Sequence, residues 1–371
     1  LNSSFMKIAI DAHSLGTQAG GNETYYRQLI RGLAQDASRN HYTLFHTHPF
    51  TLDEIENDPR FALRKTAKNP VVRLTAALPA ALREIQPDIF HCQYVQPLWG
   101  NGRTVVAIHD LAHEHFPEFF HPLEALRMKK LVRWTAKKAQ HILTISQFSA
   151  ADIAERFSLP RNKITVAYLS ASPDFHPRDK QFCQDHLARA YGIRSPFILY
   201  IGRIQARKNL PRLVEAFACV RKKGADLQLV IVGKKDWQSE MLAARVSELG
   251  LESTVIFPGF VPFNDLPLFY NAAELFVFPS FFEGFGLPVI ESMASGVPTI
   301  TSFGSSLQEI AGDGALLINP AETDSIAAAM DKILGDRDLR ERLAAAGIQR
   351  AKQFTQDQLV KNTLAVYRLV A

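Results

Sequence analysis

Two glutamates flank a glycine-containing turn and a helix start within residues 278–300. The apolar run 275–278 predicts a buried strand, and Pro288 stands where a helix would begin, at a position that tolerates its missing N–H. Glu283 lies on the turn, and Glu291 is predicted on the first helical turn. Free N–H groups at such a helix start attract anions. Carboxylates beside a phosphate site would accept hydrogen bonds from sugar hydroxyls rather than hold the phosphate.

A structural role is the alternative for one of these carboxylates. Carboxylates favour the first turns of helices, so helix-dipole stabilisation would explain Glu291. It does not explain Glu283, which precedes the helix. Gly284 and Gly286 let a ligand approach the backbone of the turn closely.

Two cations follow another predicted strand, residues 196–201. Arg203 and Lys208 precede the next helix, where an arginine fork and a lysine charge would suit a diphosphate. A solvated basic loop is the alternative explanation. Gly20 and Gly21, after the first predicted strand, either bring N–H groups to the same phosphates or form a plain turn.

Several histidines and aspartates could carry chemistry. His109 ends an apolar strand and is either a core histidine, a general base or a hydroxyl-binding group. His91 and His13 also end predicted strands, and a core position is favoured for both. The 12 histidines show no metal-ligand spacing such as HExxH. Asp336 and Asp338 have the DxD spelling of a metal motif, but between helical segments an N-cap is favoured.

One predicted helix, residues 123–138, carries a basic face. Arg127, Lys130, Arg133 and Lys137 recur at three- to four-residue spacing. Such a helix either lies on an anionic membrane or presents a solvated face over a core stripe.

The composition is that of a globular enzyme. The chain has 371 residues, of which 47% are hydrophobic and 21% charged, and no apolar run is as long as a membrane span. No secretory signal is visible, and we expect the natural chain to begin at Met6. The net charge of +5 fits anionic small ligands, a membrane surface or nucleic acid. Three distant cysteines favour a reducing cytoplasm.

Strands and helices alternate in both halves of the chain, which predicts two doubly wound α/β domains facing a cleft. The predicted strands are 7–12, 42–46, 87–91, 104–110, 141–146 and 164–168, and then 196–201, 227–232, 254–257, 275–278, 299–301 and 316–318. The second half also includes a predicted helix at 237–249. No GxGxxG follows any strand, which argues against a nicotinamide dehydrogenase. The predicted domains are 6–172 and 173–355.

Seven segments, in this order along the chain, resemble the retaining glycosyltransferases of family 4, which have the two-domain GT-B fold. They are Gly20-Gly-Asn-Glu-Thr-Tyr, Ile108-His-Asp, Thr144-Ile-Ser-Gln-Phe-Ser, Gly202-Arg-Ile with Arg207-Lys-Asn, Phe257-Pro-Gly-Phe-Val, the E-x7-E motif Glu283-Gly-Phe-Gly-Leu-Pro-Val-Ile-Glu291, and Ser305-Ser-Leu-Gln-Glu. The resemblance also implies that a closing helix, 356–371, crosses back onto the first, acceptor-binding domain, while the second domain binds the donor.

The resemblance implies a role for each candidate of the second domain. Arg203 and Lys208 would hold the donor diphosphate. Glu283 would face the donor sugar, and Glu291 would bind the ribose hydroxyls. The backbone of Val261 would meet the base.

Further contacts to the donor are implied by the same motifs. Gly21 would close on the phosphates from the first domain, and His109 would touch the sugar near its 6-hydroxyl. Sugar and phosphate would be contacted by the backbone amides of Phe285, Gly286 and Leu287.

The implied reaction moves mannose or glucose from a nucleoside-diphosphate sugar to a hydroxyl of a growing cell-surface polysaccharide or lipid-linked glycan. The segment 108–118 most resembles mannosyltransferase-like members, which favours GDP-mannose over UDP-glucose as donor. No cofactor, metal or nucleic acid is expected. The protein is expected in the cytoplasm or at the inner face of the membrane, which it would contact through residues 123–138. A catalytically silent scaffold or a nucleotide-sugar epimerase of the same architecture are the alternatives.

Overall fold

In the computed structural model, the described residues are 5–17, 20–98, 103–194, 196–234, 239–259 and 261–371. The chain forms two compact units, the first comprising Leu1–Leu169 with Thr355–Ala371 and the second Ser170–Phe354. The boundary predicted at 172 lies three residues after Leu169, where the first segment ends. The boundary predicted at 355 lies one residue after Phe354, where the second unit ends. The start of the predicted helix 237–249 falls partly on 235–238, outside the described residues.

A seven-stranded parallel sheet forms the centre of the first unit, with the strand order β3-β2-β1-β4-β5-β6-β7. Its strands are β1 (Lys7–Asp11), β2 (His41–His46), β3 (Phe61–Lys65), β4 (Ile89–Gln93), β5 (Arg103–Ala107), β6 (His141–Thr144) and β7 (Ile164–Val166). The sequence did not predict β3. This strand lies at the sheet edge with no residue fully buried, so no apolar run marks it.

Helices before the first domain junction are α1 (Gly21–Gln35), α2 (Pro70–Val72), α3 (Leu78–Ile85), α4 (Ala112–His115), α5 (Pro122–Lys138) and α6 (Gln147–Phe157). A π-helical turn, Arg73–Ala77, joins α2 to α3. The hydroxyl of Ser146 caps α6 by accepting from the backbone N–H of Ser149. Among the described residues, no helix combines the length and apolar character needed to cross a bilayer.

The second unit repeats this plan with six parallel strands in the order β10-β9-β8-β11-β12-β13. They are β8 (Phe197–Ile201), β9 (Gln228–Val232), β10 (Val255–Ile256), β11 (Leu275–Phe278), β12 (Thr299–Ser302) and β13 (Leu316–Ile318). The helices are α7 (Lys180–Tyr191), α8 (Leu210–Lys222), α9 (Ser239–Glu248), α10 (Leu266–Ala272), α11 (Leu287–Ala294), α12 (Ser306–Ala311), α13 (Thr323–Gly335) and α14 (Arg337–Ala351).

Two helix starts in this unit bear on the sequence analysis. Helix α7 was not predicted, although Asp179 caps it by accepting from the backbone N–H of Phe182 at 2.7 Å. Asp336 caps α14 by accepting from the backbone N–H of Leu339 at 2.9 Å. The N-cap interpretation of Asp336 is therefore confirmed.

Strand order reverses at one point in each sheet. In the first sheet the chain places β2 on one side of β1 and β4 on the other, and in the second it places β9 and β11 on either side of β8. This is the order of a doubly wound fold, whose ligands bind beyond the carboxyl ends of the strands at the reversal. The predicted architecture of two Rossmann-like domains is confirmed.

The chain ends in a further helix of the first unit, α15 (Gln356–Val370). Tyr367 Oη lies 2.5 Å from Nδ1 of His91, which is fully buried in β4. A Cβ on Gly32 of α1 would lie 2.2 Å from Cγ2 of Val360, so only glycine lets the two helices approach so closely. The predicted return of the closing helix to the first domain and the core position of His91 are both confirmed.

Candidate functional site

Two loops at the carboxyl edge of the second sheet bring Lys208 and Glu283 together across 75 positions of sequence. One loop follows β8 and the other follows β11, and these strands are paired neighbours at the reversal of strand order. Lys208 and Glu283 each keep only 8% of their surface exposed. This is the edge at which doubly wound sheets bind ligands.

Glu283 is held by two cations. Lys208 Nζ forms an ion pair with Glu283 Oε1, and Arg207 Nη1 lies 2.9 Å from the same oxygen. Burial acts to raise the pKa of Glu283, but the charges of Arg207 and Lys208 outweigh it and hold the pKa at about 2. Glu283 is therefore ionised at neutral pH and can accept hydrogen bonds, but it cannot act as a proton donor.

Arg207 is a site residue that the sequence did not single out. Besides its contact with Glu283, its guanidinium donates to the backbone carbonyl of Phe282, and its own carbonyl accepts from the N–H of Phe281 at 3.0 Å. Arg207 therefore ties the loop after β8 to the loop after β11. The sequence signal that could have identified Arg207 as a site residue is its position directly before Lys208.

Arg203 lies in the same loop but is solvent-exposed. Its backbone carbonyl accepts a hydrogen bond of 3.2 Å from the hydroxyl of the buried Tyr200. This bond fixes the backbone of a residue that is exposed overall, and exposure suits a residue that meets an anionic ligand.

The glycine turn after Glu283 has a backbone that only glycine adopts readily. Gly286 caps α11 with φ at 103° and ψ at 53°. The hydroxyl of Ser306 donates to the carbonyls of Glu283 at 2.7 Å and Phe285 at 3.3 Å, and these contacts fix the backbone of the turn. Phe285 is buried and packs edge-on against Phe354, with ring centroids 5.8 Å apart. The first N–H groups of α11 begin at this turn.

Replacing Gly286 with alanine should destabilise the protein by about 1–3 kcal/mol and reduce activity, because the φ is positive and strain of this size is typical of such positions. The added Cβ would also lie 2.5 Å from Cδ2 of Leu307. Urea unfolding measures the loss. A matched control is Gly335→Ala, where a Cβ meets no atom within 4 Å in the part of the chain that the structure describes. Equal stability of the two variants would contradict this account of the turn.

Glu291 is not on the first helical turn, and that prediction was wrong. Helix α11 starts at Leu287, so Glu291 is its fifth residue, and α11 has no acidic residue in its first turn. Stabilisation of the helix dipole is therefore not its role. Its Oε2 instead accepts a 2.9 Å hydrogen bond from the hydroxyl of Tyr270, which lies in α10 and is fully buried. The sequence did not identify Tyr270.

Burial raises the pKa of Glu291 to about 7, and the hydrogen bond from Tyr270 opposes this only in part. A carboxyl whose pKa is higher in the folded than in the unfolded protein stabilises the fold at low pH and loses that contribution as pH rises. Between about pH 5 and pH 8, wild-type protein should lose roughly 2 kcal/mol of stability relative to Glu291→Gln, since one pKa unit is worth about 1.4 kcal/mol.

Urea unfolding of wild type and Glu291→Gln at several pH values tests this expectation. The control is Tyr270→Phe, which removes the donated hydrogen bond and should steepen the pH dependence. Parallel stability curves for wild type and Glu291→Gln would contradict the raised pKa.

Val261 is the remaining candidate of this unit. It is 8% exposed and lies directly before Pro262, the N-cap of the 3₁₀ turn Phe263–Asp265. Gly259, two residues earlier, has φ at 82°. Phe260 of the same motif lies outside the described residues.

In the first unit, the candidates lie at the carboxyl edge of its own sheet. Strand β5 ends at Ala107, so His109 lies two residues beyond it rather than at its end. His109 is 4% exposed and its Nε2 accepts a 3.0 Å hydrogen bond from Gln93 Nε2. Burial lowers the pKa of His109 to about 3. The ring is neutral at pH 7, so Nδ1 carries the proton and can donate to a hydroxyl.

Gly20 and Gly21 form the start of α1. Gly20 is the N-cap with φ at 65°, and among the described residues no side chain caps the helix. A Cβ at Gly20 or at Gly21 would meet no atom of the described residues within 4 Å, so these residues leave space beside the helix start. Open space and uncapped N–H groups are compatible with an anion at this position.

Within the described ranges, no group of three or more histidine, cysteine, aspartate or glutamate side chains could hold a metal ion.

Two family models match the chain. The model described as Glycosyltransferase Family 4 matches residues 19–174, and the model described as Glycosyl transferases group 1 matches residues 187–350. The O-antigen chain mannosyltransferase B of Escherichia coli is 34% identical over 292 residues, which are 78% of this chain and 76% of that protein. This chain belongs to the family 4 glycosyltransferases.

Solved structures resemble this glycosyltransferase in fold. The sucrose-phosphate synthase of Thermosynechococcus elongatus superimposes with a TM-score of 0.80 and 23% identity, covering 98% of each chain. The Anabaena protein HepE in complex with UDP and glucose gives a TM-score of 0.78 with 16% identity, covering 98% of this chain and 100% of that one. At these identities the likeness shows the GT-B fold alone.

Proposed function

We propose that this glycosyltransferase is a retaining hexosyltransferase that moves a sugar from a nucleoside diphosphate to a hydroxyl of a growing cell-surface polysaccharide or lipid-linked glycan. The observation that carries the proposal is the cluster of Arg207, Lys208 and Glu283 at the strand reversal. It offers cations for a diphosphate and an ionised carboxylate for sugar hydroxyls beside the start of α11.

The chemistry of the leaving group explains the cations. When the bond between the sugar and the diphosphate breaks, negative charge grows on the diphosphate. Stabilising that charge is the main electrostatic task of the site. Lys208, Arg203 and the N–H groups at the start of α11 perform it in our proposal, without a metal. Glu291 then accepts hydrogen bonds from the ribose hydroxyls, and the backbone of Val261 meets the base.

Glu283 is proposed as a ligand of the sugar rather than as a nucleophile. A double displacement would need a carboxylate that attacks the anomeric carbon. Glu283 shares one oxygen with Lys208 and Arg207, which lowers its basicity. We therefore favour attack of the acceptor on the same face of the sugar from which the diphosphate leaves, with the leaving phosphate taking the acceptor proton.

GDP-mannose is the donor we favour over UDP-glucose, and the relatedness to a mannosyltransferase supports this choice. Thermal unfolding with GDP, UDP and their sugar conjugates tests it, because the true donor should raise the melting temperature most. Release of nucleoside diphosphate should then depend on added acceptor. No release with either donor would favour a silent scaffold, and turnover without any release would favour an epimerase.

Helix α5 supports contact with a membrane that holds a lipid-linked acceptor. Leu123 is 73% and Leu126 is 51% exposed, and the exposed cations Arg127, Lys130 and Lys137 lie on the same helix. Apolar and basic side chains together on one exposed face suit the interface of an anionic bilayer.

Changing Arg127, Lys130 and Lys137 together to glutamine should weaken sedimentation with phosphatidylglycerol vesicles at least about tenfold, since each cation near such a surface contributes about 1 kcal/mol. Neutral phosphatidylcholine vesicles should bind neither the wild type nor the triple variant. The charge-matched control replaces three exposed lysines elsewhere, at Lys332, Lys352 and Lys361. Equal binding by the two triple variants would contradict a specific membrane surface on α5.

A further inference from the structure

A second polar cluster lies at the carboxyl edge of the first sheet, where β1 ends in Asp11. His13 Nδ1 lies 3.2 Å from Asp11 Oδ2, and Arg73 Nε lies 3.5 Å from the same oxygen. The Asp11 side chain is 1% exposed and that of Arg73 9%, whereas His13 keeps 27% of its side chain exposed. The core position predicted for His13 was therefore wrong.

The carboxylate orients the imidazole. Burial acts to raise the pKa of Asp11, but His13 and Arg73 outweigh it, so the pKa of Asp11 is lowered and the group is ionised at neutral pH. The ionised Asp11 carboxylate lies 3.2 Å from His13 Nδ1, and a carboxylate at this distance favours a proton on that nitrogen of the ring. His13 thus has Nδ1 beside Asp11, while 27% of its side chain stays exposed and can meet a ligand.

A hydrogen-bond chain holds the surrounding loops in place. Thr47 Oγ1, after β2, donates to the carbonyl of His13 at 2.8 Å. Ser14 Oγ donates to Gln93 Oε1 at 3.4 Å, and Gln93 Nε2 donates to His109 at 3.0 Å. The chain crosses the ends of β2, β1, β4 and β5, including the strand reversal where doubly wound sheets bind ligands.

The charges of the cluster are balanced within it. Arg73 offsets Asp11, and the nearby Glu23 is paired with Arg27 at 2.8 Å. Paired charges around a partly exposed imidazole suit a neutral ligand with hydroxyl groups better than a phosphate or carboxylate, which would need an uncompensated cation.

We infer that His13, oriented by Asp11, accepts a hydrogen bond from a hydroxyl of a neutral acceptor sugar. This inference rests on the proposed glycosyl transfer and adds an acceptor-binding residue to it. His13 is a binding residue in this account, and the leaving phosphate remains the group that takes the acceptor proton.

Steady-state transfer with GDP-mannose and octyl α-mannoside tests the inference. His13→Ala should raise the KM for octyl α-mannoside about five- to tenfold, the scale of one hydrogen bond, and leave the dissociation constant for GDP within about twofold. His13→Gln, which keeps an acceptor atom, should recover part of the loss. The matched control is His41→Ala, since His41 is exposed at the amino end of β2 in the same sheet.

Three outcomes separate the inference from the function on which it rests. A KM change in His13→Ala that is absent in His41→Ala supports the inference. Transfer by wild type with the same acceptor KM in both variants overturns it and leaves the proposed function standing. If wild type releases no GDP from GDP-mannose and no UDP from UDP-glucose, the proposed function is overturned and the inference with it.

Discussion

Replacing Lys208 with alanine should lower the rate of sugar transfer at least about tenfold. The variant loses a charged contact to the diphosphate as it departs, and a contact of this kind is worth at least one factor of ten in rate. It also removes one of the two cations that hold Glu283. Initial rates of acceptor-dependent nucleotide release measure the effect.

A matched control keeps the charge change and moves it away from the site. Lys222 is exposed at the end of α8, and Lys222→Ala should retain wild-type rates. Lys208→Arg keeps the charge but not the geometry, and we expect an intermediate rate from it. Wild-type rates in both Lys208→Ala and Glu283→Ala would contradict the assignment of the site.

Glu283→Ala is expected to act on both activity and stability. Transfer should fall at least about tenfold, because the sugar loses a charged hydrogen-bond acceptor. The free energy of unfolding should also fall by about 3 kcal/mol, because removing one partner of a buried ion pair leaves charge without a counterion. Arg207 and Lys208 are the cations that would lose Glu283 as their counterion.

The stability effect of Glu283→Ala should depend on pH with a defined sign. The pKa of Glu283 is lowered to about 2 in the folded protein, so its contribution is present above its usual pKa and lost as pH falls toward 2. The difference between wild type and variant should therefore shrink in acid. Glu240→Ala, at an exposed position of α9, is the control and should show no such dependence. A difference that grows in acid would contradict the ion-pair account.

The local parts of the site were predictable from short segments of sequence. Glu283 and Lys208 follow short apolar runs typical of buried strands, and the functional loops of parallel sheets follow strand ends. The glycine of the turn was also readable, since Gly286 precedes Pro288 at a helix start and does adopt a positive φ. Such features depend on neighbours a few residues away, which the sequence shows directly.

Contacts between distant segments were not predictable in the same way. Arg207 reaches Glu283 because β8 and β11 are neighbours in the sheet, although 73 residues lie between the last residue of β8 (201) and the first residue of β11 (275). Tyr270 reaches Glu291 only through the packing of α10 beside α11. Which basic residues of a loop contact a carboxylate depends on side-chain direction, and residue type alone does not specify it.

The same limit explains the remaining differences from the sequence analysis. His91 and His13 both follow apolar strands, yet one is sealed by Tyr367 of the closing helix and the other remains partly exposed beside Asp11. A histidine after a strand has no local pattern that separates these environments. The order in which strands pair, and the helix that returns from the chain end, decide which strand ends are covered and which can meet a ligand.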